Sequence, residues 1–190
     1  MALCKTILEI IPEEQCFLDA TNGFSHYGEA CPKCGATGKL SDHGDYTRGL
    51  VTIIKGIASS CRVRPSRFKC ASCNATHALL PDMLVPYSPY TLRFKLLALL
   101  AYFERTADVA SVCERVGIAV STLYEWKKTL ASHKELLFGV VIAQNKEPAA
   151  FIRELLGSRD PSGILRGFFH RHGASFMQGP KQPATRCGLP

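Results

Sequence analysis

Hydrophobic and polar positions recur with two different periods along this chain, and the change falls near residue 88. Before it, Val51-Thr52-Ile53-Ile54 is β-branched. Cys61-Arg62-Val63-Arg64 and Arg67-Phe68-Lys69-Cys70 alternate charged or polar with apolar residues, the period of half-buried strands. Gly44, Gly49 and Gly56 punctuate the turns between these runs. The pattern predicts a hairpin or small antiparallel sheet with Arg62, Arg64 and, past Pro65, Arg67 on its solvent side. Residues 1–30 add only Ile7-Leu8-Glu9-Ile10-Ile11, a short strand or helical turn stopped by Pro12.

After residue 88 the apolar positions recur at spacings of three and four. Leu92, Leu96, Leu99, Leu100 and Phe103 predict a helix over about residues 89–105, with Ser88 as N-cap and Pro89 in its first turn. The stretch 79–87 is a proline-stiffened connector with enough apolar bulk to pack, so the β part should dock on the helices. Residues 106–130 read as two helices about a tight turn. Thr106 caps the first, Gly117 makes the turn, and the second covers about residues 120–132. Val109, Val112, Val116, Ile118, Leu123 and Trp126 should point inward, with Cys113 as a core thiol. Ala119 stands where a capping side chain is preferred, at a cost of roughly 1 kcal/mol.

Further on, residues 136–143 are apolar, ending the preceding helix or packing as a short extension. Pro148 then opens one amphipathic segment with Phe151, Ile152, Leu155 and Leu156, and Asp160-Pro161 a second with Ile164, Leu165, Phe168 and Phe169. The fold class expected is α+β: a small zinc-ribbon antiparallel β subdomain followed by an all-α helix-turn-helix bundle. The divisions are an extension at 1–30, ribbon and connector at 31–87, helix-turn-helix at 88–135, C-terminal helices at 136–177 and a disordered tail at 178–190.

Composition narrows the setting. A 46% hydrophobic fraction excludes wholesale disorder. The best apolar run, residues 96–103, falls short of the roughly 20 residues a membrane helix needs. Glu9 breaks the N-terminal apolar run before it could serve as a secretion signal. A cytoplasmic protein without a membrane partner is expected. The net charge is +7, unevenly spread. Residues 1–30 carry Lys5 against Glu9, Glu13, Glu14, Asp19 and Glu29; residues 31–73 carry eight Lys and Arg against Asp42 and Asp45. That basic segment points to a polyanion partner.

Its chemistry lies in two cysteine pairs, Cys31-Pro32-Lys33-Cys34-Gly35 and Cys70-Ala71-Ser72-Cys73-Asn74. Each offers two thiolates one tight turn apart, half of a tetrahedral zinc shell. Nine cysteines in a chain without a signal favour metal binding over disulfides. We therefore expect a structural zinc held by Cys31, Cys34, Cys70 and Cys73. His77 could replace a cysteine, but the second pair already supplies two thiolates, so it is not counted as a ligand. His26 and His43 are expected as lone loop histidines, and Cys4, Cys16, Cys61 and Cys187 as thiols outside the shell. A thiol-redox enzyme is disfavoured because neither pair lies in a βαβ context.

The run Gly117-Ile118-Ala119-Val120-Ser121-Thr122-Leu123-Tyr124-Glu125-Trp126 resembles the Gly-Val-Ser-x-Ser-Thr-Val-Tyr-x-Trp core of bacterial transposase and resolvase helix-turn-helix segments. The order Cys-Pro-x-Cys-Gly, basic strands, Arg67-Phe68-Lys69-Cys70 and helix-turn-helix resembles the N-terminal region of insertion-sequence transposases. Thr76 to Pro81, followed by Pro86-Tyr87-Ser88, is similar to an uncharacterised bacterial family with the same arrangement. The resemblance covers roughly residues 31–135 and implies double-stranded DNA as partner. Arg62, Arg64, Arg67 and Lys69 would grip phosphate, while Val120, Ser121, Thr122, Tyr124, Glu125, Lys127 and Lys128 would meet the duplex. It also implies a bacterial, nucleoid-associated setting and a homodimer or transposase partner. Such transposases continue into a catalytic domain of spaced acids. Here Glu147, Glu154 and Asp160 follow with no strands to converge them, so a non-catalytic protein without a small-molecule substrate is expected. The competing expectation is an assembly module for a transposase or transcription complex.

Overall fold

The computed structural model describes residues 2–5, 25–54, 56–139 and 144–179, the first four by backbone alone. Strands come first: β1 (Ala2–Lys5), β2 (Leu40–Asp45), β3 (Arg48–Ile54), β4 (Ile57–Val63), β5 (Ser66–Cys70) and β6 (Thr76–Pro81). Helices follow: α1 (Leu92–Phe103), α2 (Val109–Val116), α3 (Val120–Phe138), α4 (Pro148–Gly157) and α5 (Pro161–His172). The fold is α+β. Among the described residues no helix is long and apolar enough to cross a membrane.

The strands divide into two sheets where the sequence pattern predicts one. β2 and β5 pair antiparallel, Leu40 opposite Cys70 and Asp42 opposite Phe68, and with β6 and β1 they make a sheet of order β1-β6-β5-β2. The register slips between Asp42 and Asp45, where Gly44 takes a φ of 70°. β1 joins β6 in parallel, Ala2 opposite Ala78. The N-terminal strand is thus residues 2–5; Ile7 to Ile11 lie outside the described residues, as do Lys55, Cys16, Cys187 and most of the expected tail.

β3 and β4 form a separate hairpin, with Ile54 directly opposite Ile57. Its turn uses Gly56 at φ 82°, a value that favours glycine. This hairpin belongs to the helices. The Val51 N–H donates to the Pro89 carbonyl (2.7 Å) and the Thr91 N–H to the Val51 carbonyl (3.0 Å), while Val51 and Ile53 pack on the helical core. The half-buried Arg48 donates from Nη2 to the carbonyls of Val85 and Ser88. Desolvation holds its pKa below the ordinary arginine value.

That seam corrects the expected start of the first helix. Residues 89–91 are extended against β3, so α1 begins at Leu92 and is capped by Thr91, whose Oγ1 accepts from the Phe94 N–H at 3.2 Å. Likewise Asp108, not Thr106, caps α2, accepting from the Ser111 N–H at 3.0 Å. Thr106 instead donates to the Ala101 carbonyl. Gly117 closes α2 in the left-handed region, φ 69°, and α3 starts at Val120 with no side-chain cap at Ala119. α3 runs on past Ser132 to Phe138.

The helical core gathers Leu92, Phe94, Leu96 and Leu99 of α1, Cys113 and Val116 of α2, and Leu123, Trp126 and Leu130 of α3. α4 and α5 close it with Phe151, Ile152, Leu165 and Phe168. Val109 and Ile118 are half-buried at its margin. Arg153 donates to Glu104 Oε1 through Nε (2.9 Å) and Nη2 (2.7 Å), tying α4 to the end of α1.

Phe176 and Met177, past α5, are also buried in this core. Two cationic-type side chains grip that segment. Lys95 Nζ donates to the Met177 carbonyl at 3.2 Å, and the Met177 N–H donates to His133 Nδ1 at 3.0 Å. Burial, with Arg48 adding repulsion, pulls the Lys95 ammonium down to about 8. Burial, with His172 and Lys95 adding repulsion, pulls His133 down to about 4. Since the ordinary histidine value is 6.5, the unfolded chain binds more protons between those pH values. Stability therefore falls as pH drops through that window. The variant His133→Asn keeps an acceptor and cannot titrate. Thermal unfolding should show the wild-type Tm falling further than the variant's between pH 6.5 and 4. Acid effects on the cysteine cluster are common to both proteins and cancel; parallel curves would contradict the assignment.

Candidate functional site

The two cysteine turns are near copies of one another. The Gly35 N–H donates to the Cys31 carbonyl (2.8 Å) and the Cys31 N–H to the Ala36 carbonyl (2.9 Å). In the second turn the Asn74 N–H donates to the Cys70 carbonyl and the Cys70 N–H to the Ala75 carbonyl, both at 2.9 Å. Gly35 and Asn74 each take a left-handed φ, 75° and 57°, as the residue after the second cysteine must for the chain to reverse. Pairing of β2 with β5 brings the two turns together.

All four sulfurs of Cys31, Cys34, Cys70 and Cys73 lie within 4.8 Å of one another. Cys31 Sγ is 3.7 Å from Cys73 Sγ, and Cys34 Sγ is 3.8 Å from Cys70 Sγ. Corners of a tetrahedron with metal–sulfur bonds of about 2.3 Å are about 3.8 Å apart, so the residues fit a four-coordinate metal ion. Their proton affinities conflict. The Cys73 N–H, with help from that of Ser72, draws Cys70 down to about 6. At Cys34 the Ala36 N–H favours the thiolate, but desolvation and its three sulfur neighbours outweigh it and push the thiol up to about 11. A bound cation removes that conflict, because all four thiolates can then coexist. Cys31 and Cys70 are buried with Leu40, Phe68 and Leu79.

Two histidines sit here that the sequence pattern assigned to nothing. His77 is 2% exposed, and its Nε2 lies 3.3 Å from Cys31 Sγ. His26 is not a free loop residue: it is buried, its ring 4.4 Å from that of Tyr27 and 5.0 Å from that of Phe68. Elsewhere Cys113 is a buried core thiol whose pKa desolvation raises, and Cys61 is half-buried on β4. Cys4 lies on β1.

The basic residues do not share one environment. Arg62 and Arg64 are exposed at the end of the hairpin, whereas Arg67 and Lys69 are half-buried on β5. Arg67 is a correction to the expected free solvent face. Its Nη2 donates to the Asp45 carbonyl at 3.3 Å, its guanidinium carbon lies 5.9 Å from the Tyr46 ring, and its Nε is buried without a hydrogen bond. On α3, Leu123, Trp126 and Leu130 face the core, while Val120, Ser121, Tyr124, Glu125 and Lys128 are exposed and Thr122 half-buried. Lys127 donates to Tyr102 Oη at 3.0 Å and lies near the Tyr102 and Tyr124 rings. Tyr102 carried no sequence signal beyond its place on the apolar run of α1.

Fold and site together define an α+β protein with a four-cysteine cluster fit to hold a metal ion. The chain belongs to the family described as a domain of unknown function (DUF6431), whose family model matches residues 31–126. That span starts at the first cluster cysteine and ends at Trp126. No curated protein and no solved structure matches the chain.

Native mass spectrometry should find one metal ion per chain and none in the Cys70→Ser variant. Removal of the metal by a chelator should speed amide exchange at Cys31, Gly35, Cys70 and Asn74. Val51 and Thr91, bonded across the helix-side seam, should stay protected. Metal retained by Cys70→Ser, or loss of protection at Val51 first, would contradict this division.

Proposed function

We propose that the chain is a non-catalytic, zinc-stabilised protein that binds duplex DNA, with the cysteine-held strands acting as a zinc ribbon and α2, its glycine turn and α3 as a helix-turn-helix. One observation carries the reading: α3 locks Leu123, Trp126 and Leu130 inward while turning Ser121, Tyr124, Glu125 and Lys128 to solvent. Short polar side chains at the start of an exposed helix suit base edges in the major groove. The first turn of α3 has neither a capping side chain nor an acidic residue, which leaves its N–H groups suited to phosphate. The net charge of +7 supports the same partner.

Arg62 and Arg64, exposed on the hairpin, take phosphate in this reading. Arg67 chiefly braces β2 against β5, and Lys127 is held in place by Tyr102. Zinc is the proposed ion because it accepts four thiolates tetrahedrally without redox demands, and a shell so closed leaves no position for a substrate. The order of cysteine turns, basic strands and helices further supports kinship with insertion-sequence transposase N-terminal regions and a place on the bacterial nucleoid. A symmetric site would be read by a homodimer. A second reading, an assembly module for a transposase or transcription complex, is favoured by Ile57, 69% exposed at the hairpin tip. Partner capture insensitive to charge changes at Arg62 and Arg64, with no DNA footprint, would select it.

Gel-shift titrations in rising salt test the leading reading. Duplex binding should weaken steeply with salt, and Arg62→Ala with Arg64→Ala should flatten the logarithmic slope by about 2. Ser121→Ala with Thr122→Ala should relax sequence preference without changing the slope. Indifference to duplex DNA at low salt would overturn the proposal.

A further inference from the structure

Each buried or crowded sulfur of the cysteine cluster needs a hydrogen-bond donor, because a thiolate removed from water is costly without one. The turns supply donors from their own backbone in two cases. The N–H groups of Cys73 and Ser72 favour the Cys70 thiolate, and that of Ala36 favours the Cys34 thiolate. Cys31 is only 2% exposed, so water is largely excluded from it. Its neighbour is a side chain from β6: His77 Nε2, at 3.3 Å.

The register of the sheet puts it there. His77 stands on β6 directly opposite Phe68 of β5, two positions before Cys70, and is itself 2% exposed. The ligand atoms that lie mutually within 4.8 Å are the four cysteine sulfurs, and His77 is not among them. A coordinating thiolate has no proton to give. Whatever hydrogen bond joins the pair must therefore run from the ring to the sulfur, whether the imidazole is neutral or charged.

We infer that His77 is a positioning residue of the metal centre: its Nε2–H donates to the Cys31 thiolate and holds that ligand on the metal. The inference rests on the cysteine quartet being a metal site. Around a divalent ion four thiolates leave a net charge of about −2, and a fixed donor at the buried sulfur offsets part of it. Outer partners of this kind typically change metal retention by about 10–100-fold. The same bond fixes the ring tautomer.

The test begins with the full chain loaded with zinc. One equivalent of metal and the absence of titratable free thiols among the four ligands are checked first, so a failure of the metal reading shows before His77 is questioned. Nitrogen-15 correlation spectra of the loaded wild type should then show the His77 ring protonated at Nε2. Zinc transfer to excess chelator should be about 10–100-fold faster in His77→Leu, and close to wild type in His77→Gln, which restores an N–H donor. A bare Nε2, or equal release rates in the Gln and Leu variants, overturns the inference. So does a cobalt-substituted spectrum of three thiolates and one imidazole, which would make His77 a ligand. Should the Leu variant fail to fold, the wild-type tautomer alone decides.

Discussion

Four cysteine sulfurs within 4.8 Å of one another cannot all be thiolates without a cation, and the sheet around them cannot stand without the four sulfurs drawn together. Among the described residues, Leu40, Phe68 and Leu79 join Cys31 and Cys70 in that small core, with Cys73 packed against it. An apolar cluster of this size is too small to hold a sheet on its own. In the proposed reading, metal binding and folding of the cysteine-held sheet are one event: a bound ion would remove the repulsion, and the closed shell would fix where β2 meets β5. Leu40 lies opposite Cys70, so the ladder starts at a ligand and inherits its position.

The hairpin depends on something else. β3 bonds to residues 89 and 91, Val51 and Ile53 pack into the helical core, and Arg48 caps the Val85 and Ser88 carbonyls. Among the described residues a small cluster of Leu50, Val63, Leu80 and Leu84, with Cys61 and Ala78 packed on it, bridges the two sheets. Arg62 and Arg64 therefore take their rigidity from the helices, whereas Arg67 and Lys69 take theirs from the cysteine-held sheet.

Local chemistry was legible and nonlocal pairing was not. The cysteine turns, the alternation of β5, the uncapped Ala119 and the inward Leu123 and Trp126 all follow from neighbours in sequence. Ser88-Pro89 reads as a helix start, and fails only because β3, nearly forty positions earlier, binds the backbone of Pro89 and Thr91. Thr106 and Asp108 are both competent caps, and nothing local chooses between them. Spacing left His77 out of the expected ligand count, and the mutual cluster is the four sulfurs. Its contact with Cys31 depends on the register of β6 on β5, which spacing does not encode. Phe176 and Met177 are buried through Lys95 and His133, polar residues that a hydrophobic pattern passes over.

α1 is where these dependencies meet. It is buried at Leu92, Phe94, Lys95, Leu96, Ala98 and Leu99, too many faces for an amphipathic surface helix, and it packs on β3, α2, α3 and α4. Tyr90 and Phe94 set the ring of Trp126 at 5.0 and 6.1 Å, so α1 fixes the rotation of α3 about its axis. The same helix fixes β3, and through it Arg62 at the end of β4 and Arg64 just past it. Hairpin and α3 are thus both referenced to one rigid element. In the proposed reading, the spacing between phosphate contacts and base contacts is then a property of α1 packing. A buried lysine at the centre of that packing, with its ammonium 5.4 Å from the Trp126 ring and bonded to the Met177 carbonyl, ties the closing segment to the same element.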